Sequence, residues 1–173
     1  MTSAARTRPP AADTPNHRSA ADPAMEALQH FRLIFKSVKK HFHWVEQQTG
    51  VNGALLWAMA VVIDKPGLKV SELATMLAIH QSTASNLVDK LVKRGFVRRE
   101  RSTKDQRIVH LFPEPAGLRL IEGAPKPLQG VLPDALRHMS GAELRQLNEL
   151  LLSLVGKMKV RDTSGKSTPL ASI

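Results

Sequence analysis

The sequence lacks cysteine, long apolar runs and an N-terminal apolar segment. The absence of cysteine among 173 residues excludes disulfides, zinc–thiolate sites and thiol nucleophiles, and it is compatible with a reducing cytoplasm. No apolar run approaches the length of about 18 residues that spans a membrane. The first residues include arginines but no apolar stretch behind them, so they do not form a secretory signal. We therefore expect a cytoplasmic protein without a membrane partner.

The sequence patterns of common enzyme chemistries are missing as well. There is no phosphate-cradling glycine loop and no pair of carboxylates in an acid–base arrangement. His80 and Ser82 are too close in sequence to form part of a catalytic triad. His41 and His43 are two residues apart, so on a regular helix they cannot hold one metal ion together. We expect no enzymatic activity, no cofactor and no metal site.

Positive charge is in excess over the whole chain. There are 25 Lys and Arg against 15 Asp and Glu, which gives a formal net charge of +10. Such a surplus predicts a polyanionic partner, either nucleic acid or an anionic membrane surface, although charge can also serve solubility alone. The apolar content of 42% is sufficient for one compact domain with appended elements.

Apolar spacing predicts mostly helix between two loose ends. Residues 1–24 lack large apolar side chains and are predicted to be a disordered arm, and residues 160–173 a flexible C-terminal tail. Steps of three and four predict a long helix over 25–48, and all-round apolarity predicts a buried helix over 53–63.

Two short amphipathic helices follow, around a break at Ile79–Gln81, and Gly95 is the expected stop of the second. Residues 96–100 and 108–112 have the composition of two strands in a hairpin. From Gly117 the chain returns to helix, which three prolines must bend or interrupt, and the capping-box spacing Ser140–Glu143 begins the last helix. The predicted fold class is mainly α with a small β-hairpin.

Two short helices around a tight break are typical of a helix-turn-helix. The second helix has a polar outer face, which an ordinary surface helix would also have. However, eight basic and only three acidic residues lie between Ser82 and Arg107, and they cluster on this helix and the hairpin. That clustering favours double-stranded DNA, with polar side chains at base edges and cations at phosphates. The candidate DNA-binding residues are Ser82, Thr83, Ser85, Asn86, Lys90, Lys93, Arg101, Lys104, Gln106 and Arg107.

The hairpin is then a wing whose tip, residues 102–106, enters a minor groove. Asp105 and Arg107 are two residues apart and can face the same way. We favour a salt bridge between them that shapes the wing, while direct DNA contact by Arg107 is the alternative.

From Leu68 to Gly117 the sequence resembles the core of the MarR family of bacterial regulators. The stretch reads LKVSELATMLAIHQSTASNLVDKLVKRGFVRRERSTKDQRIVHLFPEPAG. The resemblance implies a winged helix-turn-helix head over 51–114, a helical dimerisation region over 25–50 and 115–159, and a homodimer with intertwined helices that reads a pseudo-palindrome. It places the family's recognition positions on Ser82, Thr83, Ser85, Asn86 and Lys90, and its D-x-R wing signature on Asp105 and Arg107.

The sequence departs from this family at three places. Gln106 replaces a common arginine, and Pro113–Glu114 replace the residues that usually open the next helix. Prolines 125, 127 and 133 suggest a kinked arm. The near-heptad stripe of the last helix is assigned to the dimer interface, and its members are Leu144, Leu147, Leu151, Leu154 and Met158.

The resemblance also implies a repressor that a small ligand releases from DNA. Cations and aromatic rings suit an aromatic or N-heteroaromatic acid, and the candidate effector residues are Arg32, Lys39, Phe42, His43 and Trp57. The alternative is that Phe42 and Trp57 belong to the core and the cations are solvated. A nonspecific architectural DNA-binding protein without a ligand remains the alternative function.

Overall fold

The computed structural model describes residues 22–103, 105, 108–160 and 162–172. Its contacts divide the chain into two compact units, Met1–Leu33 and Ile34–Ile173. The architecture is mainly helical with a small antiparallel sheet, which confirms the predicted fold class. Within the described ranges, every helix is too short or too polar to cross a bilayer.

The two first helices match their predicted positions closely. Helix α1 is Pro23–Thr49 and helix α2 is Gly53–Asp64. The rest of the predicted N-terminal arm, residues 1–21, lies outside the described residues. Asn52 begins α2, because its side-chain oxygen accepts the Leu55 N–H at 3.0 Å. As its all-round apolarity predicts, α2 forms the centre of the core, where Leu56, Met59 and Val62 are fully buried.

Helices α3 (Val70–Leu77) and α4 (Gln81–Lys93) form the helix-turn-helix. Ala78 closes α3 in the left-handed conformation, with φ of 53°, and the chain turns through Ile79 and His80 into α4. Gly95 follows α4 with φ of +70°, and the Phe96 N–H donates to the Leu91 carbonyl at 3.0 Å. This is the expected glycine stop, since a side chain would be strained at that φ.

The sheet has three strands, one more than the predicted hairpin. They are β1 (Leu68–Lys69), β2 (Val97–Arg101) and β3 (Val109–Pro113), in the order β1-β3-β2. Leu111 on the central strand is opposite Leu68 on one side and Arg99 on the other. The buried side chains of Leu68, Val97 and Leu111 attach the sheet to the core of the head.

The prolines break the following helix instead of kinking it. Helix α5 is Pro115–Glu122 and helix α6 is Val131–Arg137. Between them residues 123–130, including Pro125 and a cis Lys126–Pro127 bond, form an irregular connection. Pro115 and Pro133 fall in first turns, where the amide that proline lacks would have no partner within the helix. The altered junction at Pro113–Glu114 is therefore a strand end followed directly by a helix start.

The last helix, α7 (Gly141–Lys157), begins with the predicted capping box. The Glu143 N–H donates to Ser140 Oγ at 3.3 Å, and the Ser140 N–H donates to the Glu143 carboxylate at 2.7 Å. Hydrogen bonds from Ser140 lower the pKa of Glu143. The larger contribution comes from the Ser140 side chain and the smaller from its backbone amide. The predicted flexible tail contains two 3₁₀ turns, Ser164–Ser167 and Leu170–Ser172.

Candidate nucleic-acid interface

Helix α4 has one buried and one exposed side. Ala84, Leu87, Val88 and Leu91 pack into the core of the head. Ser82, Asn86, Lys90 and Lys93 are exposed, and Thr83 and Ser85 are half-buried at the margin. The predicted recognition residues therefore share a polar surface whose orientation is fixed by the buried side of the same helix.

A groove of about 300 Å³ separates the start of α4 from the wing. Gln81 and Ser85 line it from α4, Ile108 and Val109 line it from the hairpin, and the segment 69–71 completes it. The sequence predictions missed Gln81, Lys69 and Ser71. Position in the motif was the available signal, because the first residues of a recognition helix are the ones that contact bases.

Two arginines of the wing are held by neighbouring groups of the protein. Arg99 pairs with Asp89 of α4 at 2.5 Å, which connects strand β2 to the recognition helix. Arg98 pairs with Glu100 and with Glu114, the latter at 3.2 Å, and its guanidinium lies 4.8 Å from the centre of the Phe112 ring. These partners reduce the positive charge that Arg98 and Arg99 offer to phosphates.

The remaining described cations of this surface are more available. Lys90, Lys93 and Arg101 are exposed, and no ion pair to them is found among the described residues. Lys90 and Lys93 lie in the last turn of α4, and Arg101 is the last residue of β2. A duplex would therefore meet a polar helix face with cations on the helix and on the wing.

Arg94 acts within the head. Its guanidinium donates to the Gly50 carbonyl at 2.9 Å, so it ties the end of α4 to the α1–α2 connection. The sequence could not have indicated this bond, because the two residues are 44 positions apart.

The tip of the wing is described only in part. Lys104, Gln106 and Arg107 lie outside the described residues, so their predicted DNA contacts and the Asp105–Arg107 bridge stay predictions. At the base of the tip, the Ser102 N–H donates to the Ile108 carbonyl at 2.9 Å. The Ile108 N–H in turn donates to the Asp105 carbonyl at 2.9 Å, which narrows the loop.

Comparison with known proteins identifies the family. The model of the MarR family matches residues 62–109, which contain α3, α4 and strand β2 and end at the first residue of β3. The HTH-type transcriptional regulator BilQ of Clostridium symbiosum is 31% identical over 113 residues, or 65% of this chain and 78% of BilQ. The chain belongs to the MarR family. Its relatives are transcriptional regulators and not enzymes, in agreement with the sequence-based expectation.

This MarR-family chain is also similar to a second curated protein and to a solved structure. The transcriptional repressor MdtR of Bacillus subtilis is 27% identical over 93 residues, which cover 53% of this chain and 60% of MdtR. The crystal structure of Streptococcus pneumoniae FabT in complex with DNA superposes with a TM-score of 0.52 at 18% identity. That match covers 79% of this chain and 97% of FabT, and it supports the winged helix-turn-helix fold.

The structure brings together only two of the candidate effector residues of this MarR-family chain. Phe42 and Trp57 are half-buried and line one small crevice beside α2. Lys39 is exposed, and His43 is exposed and accepts a hydrogen bond from Gln47 at 3.0 Å. Neither Lys39 nor His43 is part of the described lining of that crevice. Arg32 is an exposed residue of the N-terminal unit.

The neighbouring histidine has a separate structural role. His41 is buried, and its Nε2 lies 3.1 Å from the Pro127 carbonyl. The bond connects α1 to the irregular α5–α6 connection, 86 positions away.

Proposed function

We propose that the chain regulates transcription by binding double-stranded DNA as a homodimer. The observation that carries this proposal is the polar face of α4, which is exposed beside the groove to the wing, together with cations to which no ion pair is found among the described residues. In this mode α4 lies in a major groove, where Ser82, Ser85 and Asn86 reach base edges. Lys90, Lys93 and Arg101 then neutralise phosphates on either side.

The homodimer is supported by apolar surface that the single chain leaves uncovered. Within the described helix α7 no residue is buried, and the stripe members Leu151, Leu154 and Met158, the last just after the helix, are exposed in the single chain. Full burial of such a side chain is more favourable than exposure to water by about 1.5–3 kcal/mol. A second copy of α7 and of its neighbouring helices is the partner that the predicted interface stripe requires.

We further propose that the dimer is a repressor in the cytoplasm and that a small aromatic or N-heteroaromatic acid releases it from DNA. Repression follows the name of MdtR, and the ligand follows the resemblance and the rings of Phe42 and Trp57. Calorimetry with a panel of such acids tests the ligand. Absence of heat together with unchanged affinity for DNA would contradict it.

The decisive experiment compares specific with nonspecific DNA. A duplex selected from a random pool and a scrambled duplex of the same length are titrated with protein at one salt concentration. A regulator binds the selected duplex at least about 10³-fold more tightly. Equal affinities would instead favour an architectural DNA-binding protein.

Asn86→Ala refines this test. We expect this variant to bind the selected duplex more weakly by about 1–3 kcal/mol, because base contacts are lost. Its affinity for the scrambled duplex should be nearly unchanged. Asn148→Ala is the matched control, because Asn148 is an exposed asparagine of α7. An equal loss on both duplexes for Asn86→Ala would show that Asn86 does not read bases.

A further inference from the structure

The crevice beside Phe42 and Trp57 is closed by the end of the chain itself. Its walls come from Phe42 of α1, from Ala54 and Trp57 of α2, and from the α5–α6 region. The remaining side is formed by Pro169, Leu170 and Ala171. The chain therefore returns from the exposed helix α7 and places its last described turn against the centre of the head.

The contact is apolar and continuous with the core. Ala171 packs against the buried cluster that contains α2. Pro169 also borders an adjoining space with Leu77, Ile79 and Leu87, so it reaches the inner side of both helices of the helix-turn-helix. The segment thus contacts the helices that set the position of α4.

The space left in the crevice is too small for an organic ligand. The cavity between the rings and the segment has a volume of about 20 Å³, and the adjoining space at Pro169 about 10 Å³. Such volumes hold one water at most, whereas pockets for drug-sized ligands are about 300–1,000 Å³. An aromatic acid could enter between Phe42 and Trp57 only after the segment has left.

We propose that residues 169–171 are an intramolecular plug of this crevice. In the plugged state the segment occupies the place of an apolar or aromatic ligand and supports α2 and the α3–α4 pair. When it leaves, the crevice opens and accepts such a ligand. The role of the plug in releasing DNA rests on the proposed function, whereas the plug itself does not.

Trp57 provides a direct optical measurement of the plug. In a Trp44→Phe background Trp57 is the single tryptophan, because the chain has two. Pro169→Asp places a carboxylate in the apolar crevice, and burying an unpaired polar group disfavours docking by a factor of about 5 to 150. The matched control is Gly165→Asp, since Gly165 is exposed and a Cβ there meets nothing within 4 Å.

We expect Pro169→Asp to shift the Trp57 emission to the red and to raise its acrylamide quenching constant, while Gly165→Asp leaves both unchanged. A chain that ends at Thr168 should behave like Pro169→Asp. It should also bind the anionic dye 1-anilinonaphthalene-8-sulfonate, whose aromatic rings enter apolar sites, more tightly than the full chain does. Circular dichroism of each variant verifies that the head is folded.

Unchanged Trp57 quenching in both Pro169→Asp and the truncated chain would overturn the plug. Increased quenching without tighter dye binding would overturn its role as the occupant of a ligand site. Neither readout involves DNA, so failure of the plug and failure of DNA binding are distinguished by titrating the same variants with the selected duplex.

Discussion

Asp89 is the one acidic side chain on the polar face of α4, and it is paired with a wing arginine. At 2.5 Å from Arg99 it neutralises a cation that would otherwise lie beside the duplex. An exposed pair of this kind contributes about 0–1 kcal/mol to stability, so its main effect is on the charge presented to DNA.

Asp89→Asn should therefore strengthen binding to every duplex. Removing the carboxylate releases Arg99, and we expect the slope of log K against log salt to steepen by about 1. Titrations of the selected and the scrambled duplex at several salt concentrations measure this slope. Asp64→Asn is the control, since Asp64 is an exposed aspartate at the end of α2. A slope equal to that of the control would mean that Arg99 stays away from phosphate.

At the scale of elements, Gly117 is where α5 meets both the core helix and the wing. A Cβ built on Gly117 would lie 2.4 Å from Met59 Cε and 2.5 Å from the Phe96 carbonyl oxygen. The methionine end can move, but the backbone carbonyl is fixed, because it accepts the Glu114 N–H at 2.9 Å. The glycine therefore permits the close approach of α5 to the wing strand.

Gly117→Ala should destabilise the fold by about 1–3 kcal/mol, as overpacking does. Gly156→Ala is a matched helix substitution, because a Cβ at Gly156 meets nothing within 4 Å. It should stabilise by about 0.5–1 kcal/mol through helix propensity. Urea unfolding of the two variants and of the parent protein measures the change in the free energy of unfolding for each substitution. A stable Gly117→Ala protein would mean that α5 can shift away from β2.

Helices with a strong apolar period could be predicted from the sequence. Very short strands, and contacts between residues far apart in sequence, could not. The apolar stripes of α1 and α4 determined the positions of these helices within a residue or two, since burial of one helix face sets the period. Strand β1 has only two residues, too few to show alternation. The bonds of Arg94 and Arg99 depend on how distant elements pack. The docking of Pro169 to Ala171 likewise depends on a crevice built by residues far away in sequence.

At the scale of the whole molecule, helix α7 is the part that the single chain does not explain. A capping box stabilises the first turn of α7, yet the stripe from Leu144 to Met158 has no buried member. In proteins most of the stability of a helix comes from packing of its apolar face and not from helix propensity, so α7 needs a partner for its stripe. The proposed dimer supplies that packing and would also set the distance between two α4 helices.

Leu151→Arg places a charge in the middle of that stripe and should shift the protein from dimer to monomer. Ser153→Arg is the control, because position 153 is on the opposite side of α7 and is exposed. Light scattering coupled to size exclusion gives the molar mass of each variant. A monomer contacts only one half-site of the selected duplex. Its affinity for the selected duplex should therefore fall more than its affinity for the scrambled one. If Leu151→Arg remained a dimer with unchanged DNA binding, the interface would lie on other surfaces, and α7 would need a different partner to cover its leucines.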